Sequence, residues 1–244
     1  MARKIIEYKD LCFEVSYEIT PASSISNPPK SMLFLHGWGS HKDLMKIAFD
    51  KSFSSYEHIY IDLPGFGDSP NDIPLYTEDY AKIVELFLAN IHRSIDVMVG
   101  HSFGGKVAVL CQPKELILLS SAGIPVAKSL KVRSKIYLAK ILGKIGLKGV
   151  SSRFRSKDVE LMNEGMYQTF KNVVDEDFSS KFAQYQGRAS VFWGKADTAT
   201  PLFCGYKIAN LIEDSRFFML EGDHYFFLKQ AQEIETLYEG IQNE

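Results

Sequence analysis

The stretch Val97-Met98-Val99-Gly100-His101-Ser102-Phe103-Gly104-Gly105-Lys106-Val107-Ala108-Val109-Leu110 changes character in its middle. Val97 to Val99 make an apolar, β-branched run of strand type, and after Gly104 the apolar residues resume at a different spacing. Between them Ser102 stands among glycines. Either it is a small residue where a strand gives way to a helix, or its hydroxyl is lifted clear on a tight turn. The ends of the other strands decide between the two.

Working outward, short apolar runs recur at Phe13 to Ile19, Met32 to Leu35, Ile59 to Leu63, Leu116 to Leu119, Ser190 to Trp193 and Phe217 to Leu220. Most are apolar throughout rather than alternating, as strands buried on both faces are. Helical patterns fall between them. Thr77 to Ile91 places Tyr80, Ile83, Val84, Phe87 and Leu88 on one face, with Thr77 as the expected cap. Pro201 to Ile212 and Phe227 to Ile241 read the same way. Alternation of this kind predicts an α/β fold, a mostly parallel sheet with helices on both faces. Gly123 to Gly187 breaks the rhythm with helical pieces at Ser129 to Leu142, Asp158 to Lys171 and Asp175 to Tyr185, and reads as a helical insertion.

Composition limits the alternatives. With 244 residues, 45% hydrophobic and 24% charged, the chain matches one α/β domain carrying an insertion. A net charge of −2 gives no global reason to expect nucleic acid. Cys12, Cys111 and Cys204 are scattered, which predicts neither a disulfide framework nor a metal cluster. No run reaches the roughly twenty apolar residues of a membrane span, and none at the N-terminus has signal-peptide character. A cytoplasmic address is expected.

In open α/β sheets, functional groups collect beyond the carboxyl ends of the strands. There the chain places Ser102, then Asp197, then His224 at three strand ends. Gly100-x-Ser102-x-Gly104 is the nucleophile-elbow pattern, set between a strand and a helix as that pattern requires. A serine hydroxyl needs a base, and the base needs a group that fixes its tautomer. His224 follows a late strand on a Gly-Asp-His turn and is the expected base. His41, His58 and His92 read as surface or structural residues, and His36 as a structural hydrogen-bonder. The side chain of His101 is expected to point away from where Ser102 points. Asp197 is the expected orienting carboxylate. Asp223 adjoins His224 too closely to bridge its ring, while Asp62 and Asp68 bracket a Gly-rich turn that they would hold through backbone bonds. The backbone N–H groups of Trp38 and Phe103 are the expected oxyanion donors.

These residues resemble the α/β-hydrolase superfamily. The resemblance runs through His36-Gly37-Trp38-Gly39, Asp62-Leu63-Pro64-Gly65-Phe66-Gly67-Asp68-Ser69, Gly100-His101-Ser102-Phe103-Gly104-Gly105, Trp193-Gly194-Lys195-Ala196-Asp197 and Gly222-Asp223-His224. It implies a core of residues 1–122 and 188–244 under a helical cap of residues 123–187. It also implies a serine hydrolase acting on a small or medium acyl ester through an acyl-enzyme, with no metal and no organic cofactor. Ser102 sets the chain apart from the dehalogenase and epoxide-hydrolase branches, which use aspartate there. Two branches are similar in motif: esterases of pimeloyl-[acyl-carrier protein] methyl ester, which carry tryptophan where this chain has His101, and carbon–carbon bond hydrolases of dienoate-type substrates. From Leu116 to Lys157 there is no acidic residue, against ten lysines and arginines from Lys128 to Lys157. That charge implies an acidic partner, namely an acyl carrier protein, an anionic lipid surface or a carboxylate-bearing substrate, or else a solvated cap. A non-catalytic binding module gripping such a partner is the rival class, and the intact Ser-Asp-His set argues against it.

Overall fold

The computed structural model describes residues 2–23, 30–126 and 162–242. Its strands are β1 (Ala2–Tyr8), β2 (Leu11–Thr20), β3 (Ser31–Leu35), β4 (Glu57–Ile61), β5 (Val97–His101), β6 (Glu115–Leu119), β7 (Arg188–Gly194) and β8 (Ser215–Leu220). They form one eight-stranded sheet in the order β1-β2-β4-β3-β5-β6-β7-β8. The pairs β1–β2 and β2–β4 are antiparallel. All other neighbours are parallel. The helices are α1 (Lys42–Phe49), α2 (Thr77–Asn90), α3 (Phe103–Leu110), α4 (Glu164–Val173), α5 (Ser179–Ala183), α6 (Leu202–Leu211) and α7 (Ala231–Gln242). No described helix is long and apolar enough to cross a membrane.

The central strands are apolar throughout because each face has its own core. Leu33 and Leu35 of β3, Leu116 and Leu118 of β6, and Val191 and Trp193 of β7 face one cluster, which Phe87 of α2, Val107 of α3 and Ile208 of α6 complete. The alternate residues Met32, Phe34, Ile117, Leu119 and Phe192 face the other, closed by Phe49 of α1 and by Ile234 and Tyr238 of α7. Side chains that alternate across a strand thus find apolar partners on both sides, and a run such as Met32-Leu33-Phe34-Leu35 is wholly buried.

Three local readings are corrected. The N-terminal residues, which carried no strand reading, form β1, paired in register with β2. Only Ile6 of β1 is buried; Arg3, Ile5 and Glu7 on the opposite face are exposed, and Lys4 is half-buried. Helix α2 is not capped by Thr77: Tyr76 holds the cap position, and the Asp79 carboxylate accepts its backbone N–H at 2.8 Å. Thr77 instead donates its hydroxyl to Glu176 Oε2 at 2.5 Å. The C-terminal helix is split, with a 3-10 turn at Phe226–Leu228 ahead of α7.

Between β6 and β7 the described part of the insertion holds α4 and α5. Met166, Val173, Phe178 and Phe182 seat this segment on the α2–α3 side of the sheet. The helix expected at Ser129 to Leu142 and all ten basic residues from Lys128 to Lys157 lie outside the described residues.

Candidate active site

Strands β5, β7 and β8 run parallel, so the residues that follow them gather at one edge of the sheet. Ser102 follows β5 directly and precedes α3, with φ 49° and ψ −111°. A positive φ is uncommon for a residue with a β-carbon and costs about 1–3 kcal/mol, so the surroundings must hold it. The Ser102 N–H donates to the Leu119 carbonyl at 3.1 Å, and its own carbonyl accepts from Gly105 at 3.1 Å and Ala122 at 3.0 Å. Sterics dictate the glycines. A β-carbon on Gly104 would lie 2.4 Å from the Leu35 carbonyl oxygen, because α3 starts hard against the end of β3. One on Gly37 would lie 2.8 Å from His101 Nδ1 and 3.2 Å from Ser102 Cβ, so the loop before Trp38 lies directly against the serine turn.

Asp197 and His224 meet. His224 Nδ1 lies 2.8 Å from Asp197 Oδ2, and the carboxylate side chain is fully buried while the imidazole is 14% exposed. Asp197 Oδ1 accepts the N–H groups of Ala199 (2.8 Å) and Thr200 (2.9 Å). Oδ2 also accepts the Thr200 hydroxyl at 2.8 Å. Burial works to raise this carboxyl, but the hydrogen bonds from His224 and the Thr200 N–H outweigh it and hold the pKa down at about 2. Facing an ionised carboxylate, Nδ1 carries the ring proton and Nε2 is left with its lone pair.

His101 packs against His224 and is not among the described residues that line the cavity beside Ser102. Its ring is buried, 4.7 Å from the His224 ring, and its Nε2–H donates to the His224 carbonyl at 3.1 Å. Burial first, then the neighbouring His224, drives its pKa down to about 3, so it stays neutral and serves as a fixed donor. The residue before the serine therefore ties the serine turn to the histidine loop. Thr200 is the second residue that sequence reasoning missed. Its hydroxyl reaches Asp197 Oδ2 and sits 3.3 Å from His224 Nδ1, and nothing local in Thr200-Pro201 announces it.

Trp38 and Phe103 line the same cavity as Ser102, a space of about 730 Å³ that Thr200 also borders. Phe103 opens α3, where helix N–H groups have no partner within the helix. The Trp38 ring is clamped edge-on by Phe66 at 4.8 Å and Phe103 at 5.5 Å, with Phe170 of α4 at 5.4 Å. Behind the loop, His36 accepts the Leu63 N–H at 3.0 Å through Nε2 and donates from Nδ1 to the Gly37 carbonyl at 2.8 Å. Burial pulls its pKa down to about 4, which keeps it neutral.

Asp62 accepts the backbone N–H groups of Lys42 (2.7 Å) and Asp68 (3.0 Å), the loop-holding bonds expected of it, and also the Lys42 ammonium at 2.7 Å. Asp223 turns to the Tyr225 N–H at 2.9 Å and takes no part in the His224 ring contact. His58 is buried between Tyr60 and the Phe53 carbonyl, while His41 is half exposed. No three His, Cys, Asp or Glu side chains among the described residues converge as a metal site needs.

Comparison with known proteins identifies the family and the fold. The model of the alpha/beta hydrolase family matches residues 32–235. The chain is 33% identical over 89 residues to the 2-succinyl-6-hydroxy-2,4-cyclohexadiene-1-carboxylate synthase of Klebsiella pneumoniae, covering 34% of this chain and 33% of that one. It is 32% identical over 98 residues to the pimeloyl-[acyl-carrier protein] methyl ester esterase of Pseudoalteromonas atlantica, covering 38% and 37%. The matches thus span about a third of these curated relatives. Among solved structures, a thermophilic esterase from Thermogutta terrifontis superposes with a TM-score of 0.72 at 17% identity, over 100% of this chain and 98% of that one. An esterase from Exiguobacterium antarcticum gives 0.75 at 17% identity, over 98% and 99%.

Proposed function

We propose that this chain, which belongs to the alpha/beta hydrolase family, cleaves carboxylic esters of small or medium acyl groups with Ser102 as nucleophile. The observation that carries the reading is the Asp197–His224 contact of 2.8 Å, held against the serine turn by His101. In this reading Ser102 Oγ attacks the ester carbonyl carbon while His224 Nε2 takes its proton. Asp197 keeps the ring oriented and offsets the charge of the imidazolium. Trp38 and Phe103 N–H groups receive the carbonyl oxygen as it becomes an oxyanion, each worth about 3–4 kcal/mol in comparable sites. Collapse breaks the acyl–oxygen bond, and the departing alcohol takes the proton from His224. Water then attacks the acyl-enzyme as His224 accepts its proton, and His224 returns that proton to Ser102 Oγ as the acyl–Oγ bond breaks and the carboxylic acid leaves. The described part of the insertion contributes Phe170, Val173 and Val174 to the cavity beside Ser102, and the three free cysteines fit a reducing compartment such as the cytoplasm.

A second reading has the ester presented by an acyl carrier protein. The likeness to the pimeloyl-[acyl-carrier protein] methyl ester esterase and the basic residues from Lys128 to Lys157 favour it.

Ser102→Ala is expected to lower kcat on a p-nitrophenyl ester by about four orders of magnitude or more. A fluorophosphonate probe is expected to label the parent at Ser102 and leave the variant unlabelled. Undiminished turnover in the variant, or a folded parent inert to the probe, ends the serine assignment.

A further inference from the structure

The cavity beside Ser102 is mostly apolar, yet a lysine is buried in its wall. Lys106 stands four residues beyond Ser102, in the first turn of α3. Its side chain is 3% exposed and pairs with Glu176, itself 18% exposed, at 2.7 Å. Both residues line the cavity. The ammonium also donates to the Val173 carbonyl, the last of α4, at 2.6 Å, and lies over the rings of Phe103 (5.4 Å) and Phe178 (5.0 Å). Glu176 Oε2 accepts from both Lys106 and Thr77.

The donor and acceptor count leaves a remainder. An ammonium has three N–H bonds, and two find hydrogen-bond acceptors among the described residues. Glu176 Oε1 accepts no hydrogen bond among the described residues, all of the contacts falling on Oε2. One donor and one acceptor of the pair are therefore left without a hydrogen-bond partner among the described residues. Burying an ion pair is costly, and a tie between α3 and the α4–α5 segment could be made by apolar packing. A substrate group that completes the bonding is a reason for the pair to be there.

Charge selects the group. An anion entering here meets the Glu176 carboxylate and that of Asp175, which lines the same cavity; a cation meets the Lys106 ammonium. A neutral group that donates and accepts at once satisfies both, and that group is a hydroxyl. The acyl part of the substrate is what occupies this space: the departing alcohol must reach His224 to take its proton, and His224 is absent from the described lining while Ser102, Trp38 and Phe103 belong to it.

Resting on the serine-hydrolase reading, we propose that Lys106 and Glu176 form a polar subsite that binds a hydroxyl group on the acyl chain, making hydroxyacyl esters the preferred substrates. The test compares ethyl hexanoate with its analogues hydroxylated at C3, C4, C5 or C6, and with monoethyl adipate and ethyl 6-aminohexanoate as the charged counterparts. In the parent, at least one hydroxyhexanoate is expected to exceed the plain ester in kcat/KM by about tenfold or more, as hydrogen bonds to charged groups give. Both charged esters should fall below it. Lys106→Met and Glu176→Gln are each expected to bring that preference to near unity, whereas a purely structural tie would lower all esters in proportion. Because the readout is a ratio, partial destabilisation of either variant leaves it interpretable, and Glu176→Gln serves if Lys106→Met fails to fold. A parent that labels at Ser102 but shows no hydroxyl preference, or variants that keep it, overturn the subsite and leave the hydrolase standing. A parent inert to the fluorophosphonate overturns both.

Discussion

Lys42→Met tests whether the loop carrying Trp38 is held by a buried ion pair. Lys42 opens α1, just past that loop, and its side chain is 1% exposed, as is the Asp62 side chain 2.7 Å away. Burial works against the charge, yet Asp62 and Asp68 hold the ammonium above its ordinary pKa. Removing one partner of such a pair costs about 3–5 kcal/mol, because the other charge stays buried without its counterion. Asp62 would keep the backbone N–H groups of residues 42 and 68, which places the expected loss near the lower end, about 3 kcal/mol. For a chain of this size, about 2–4 °C per kcal/mol gives a fall in Tm of roughly 6–12 °C. Asp68→Asn is the matched control. Its carboxylate also touches Lys42, at 3.1 Å, but is 44% exposed, so solvent screens it and the cost should stay below about 1 kcal/mol. Thermal and urea unfolding of the three proteins decide the matter, with kcat on a p-nitrophenyl ester expected to fall for Lys42→Met as the loop loosens. A Lys42→Met variant that melts within about 2 °C of the parent, or an Asp68→Asn variant that loses as much, refutes the reasoning.

Other outcomes follow from single contacts. Gly104→Ala would set a methyl 2.4 Å from the Leu35 carbonyl and is expected to abolish probe labelling at Ser102. Gly240→Ala in α7 meets nothing within 4 Å and should raise Tm by about 1–4 °C; equal behaviour of the two variants would contradict the steric account. Thr200→Val removes the hydroxyl that donates to Asp197 and is expected to lower kcat/KM about tenfold, with Thr200→Ser restoring it; an unaffected valine variant would remove Thr200 from the site. Asp197 has a folded-state pKa of about 2, below its ordinary 3.8, so its ionised form stabilises the fold. That contribution is complete above about pH 4 and drains away as pH falls towards 2. The difference in unfolding free energy between the parent and Asp197→Asn should therefore shrink over that window, and a difference constant from pH 7 to 2 would exclude the linkage.

What could be read from the sequence follows a physical division. Strands β3 to β7 were legible because both faces are buried, which forces unbroken runs such as Met32 to Leu35. Strand β1 was not, since it borders the sheet and buries Ile6 alone, leaving Arg3 and Lys4 to look like a charged tail. Helix α1 was hidden for the opposite reason: a buried lysine at its start reads as surface. Thr77 failed as a cap because its hydroxyl is claimed by Glu176, 99 residues away, while Asp79 supplies the local acceptor.

The same division runs through the site. Ser102 was legible because its turn must be built from neighbours without β-carbons, a constraint written within five residues. The ordering of Asp197 and His224 was legible because strand ends converge. The contacts that fix their geometry were not: His101 reaches His224 across 123 residues and Thr200 reaches it across 24. Lys106 reads in sequence as an ordinary helix lysine and becomes a wall of the cavity only through Glu176, 70 residues on. Local sterics therefore specify where Ser102 sits, and pairings between distant polar residues specify what is held against it. Substitutions at Lys106 and Glu176 should accordingly change which ester is chosen, and substitutions at Gly104 whether any ester is cleaved.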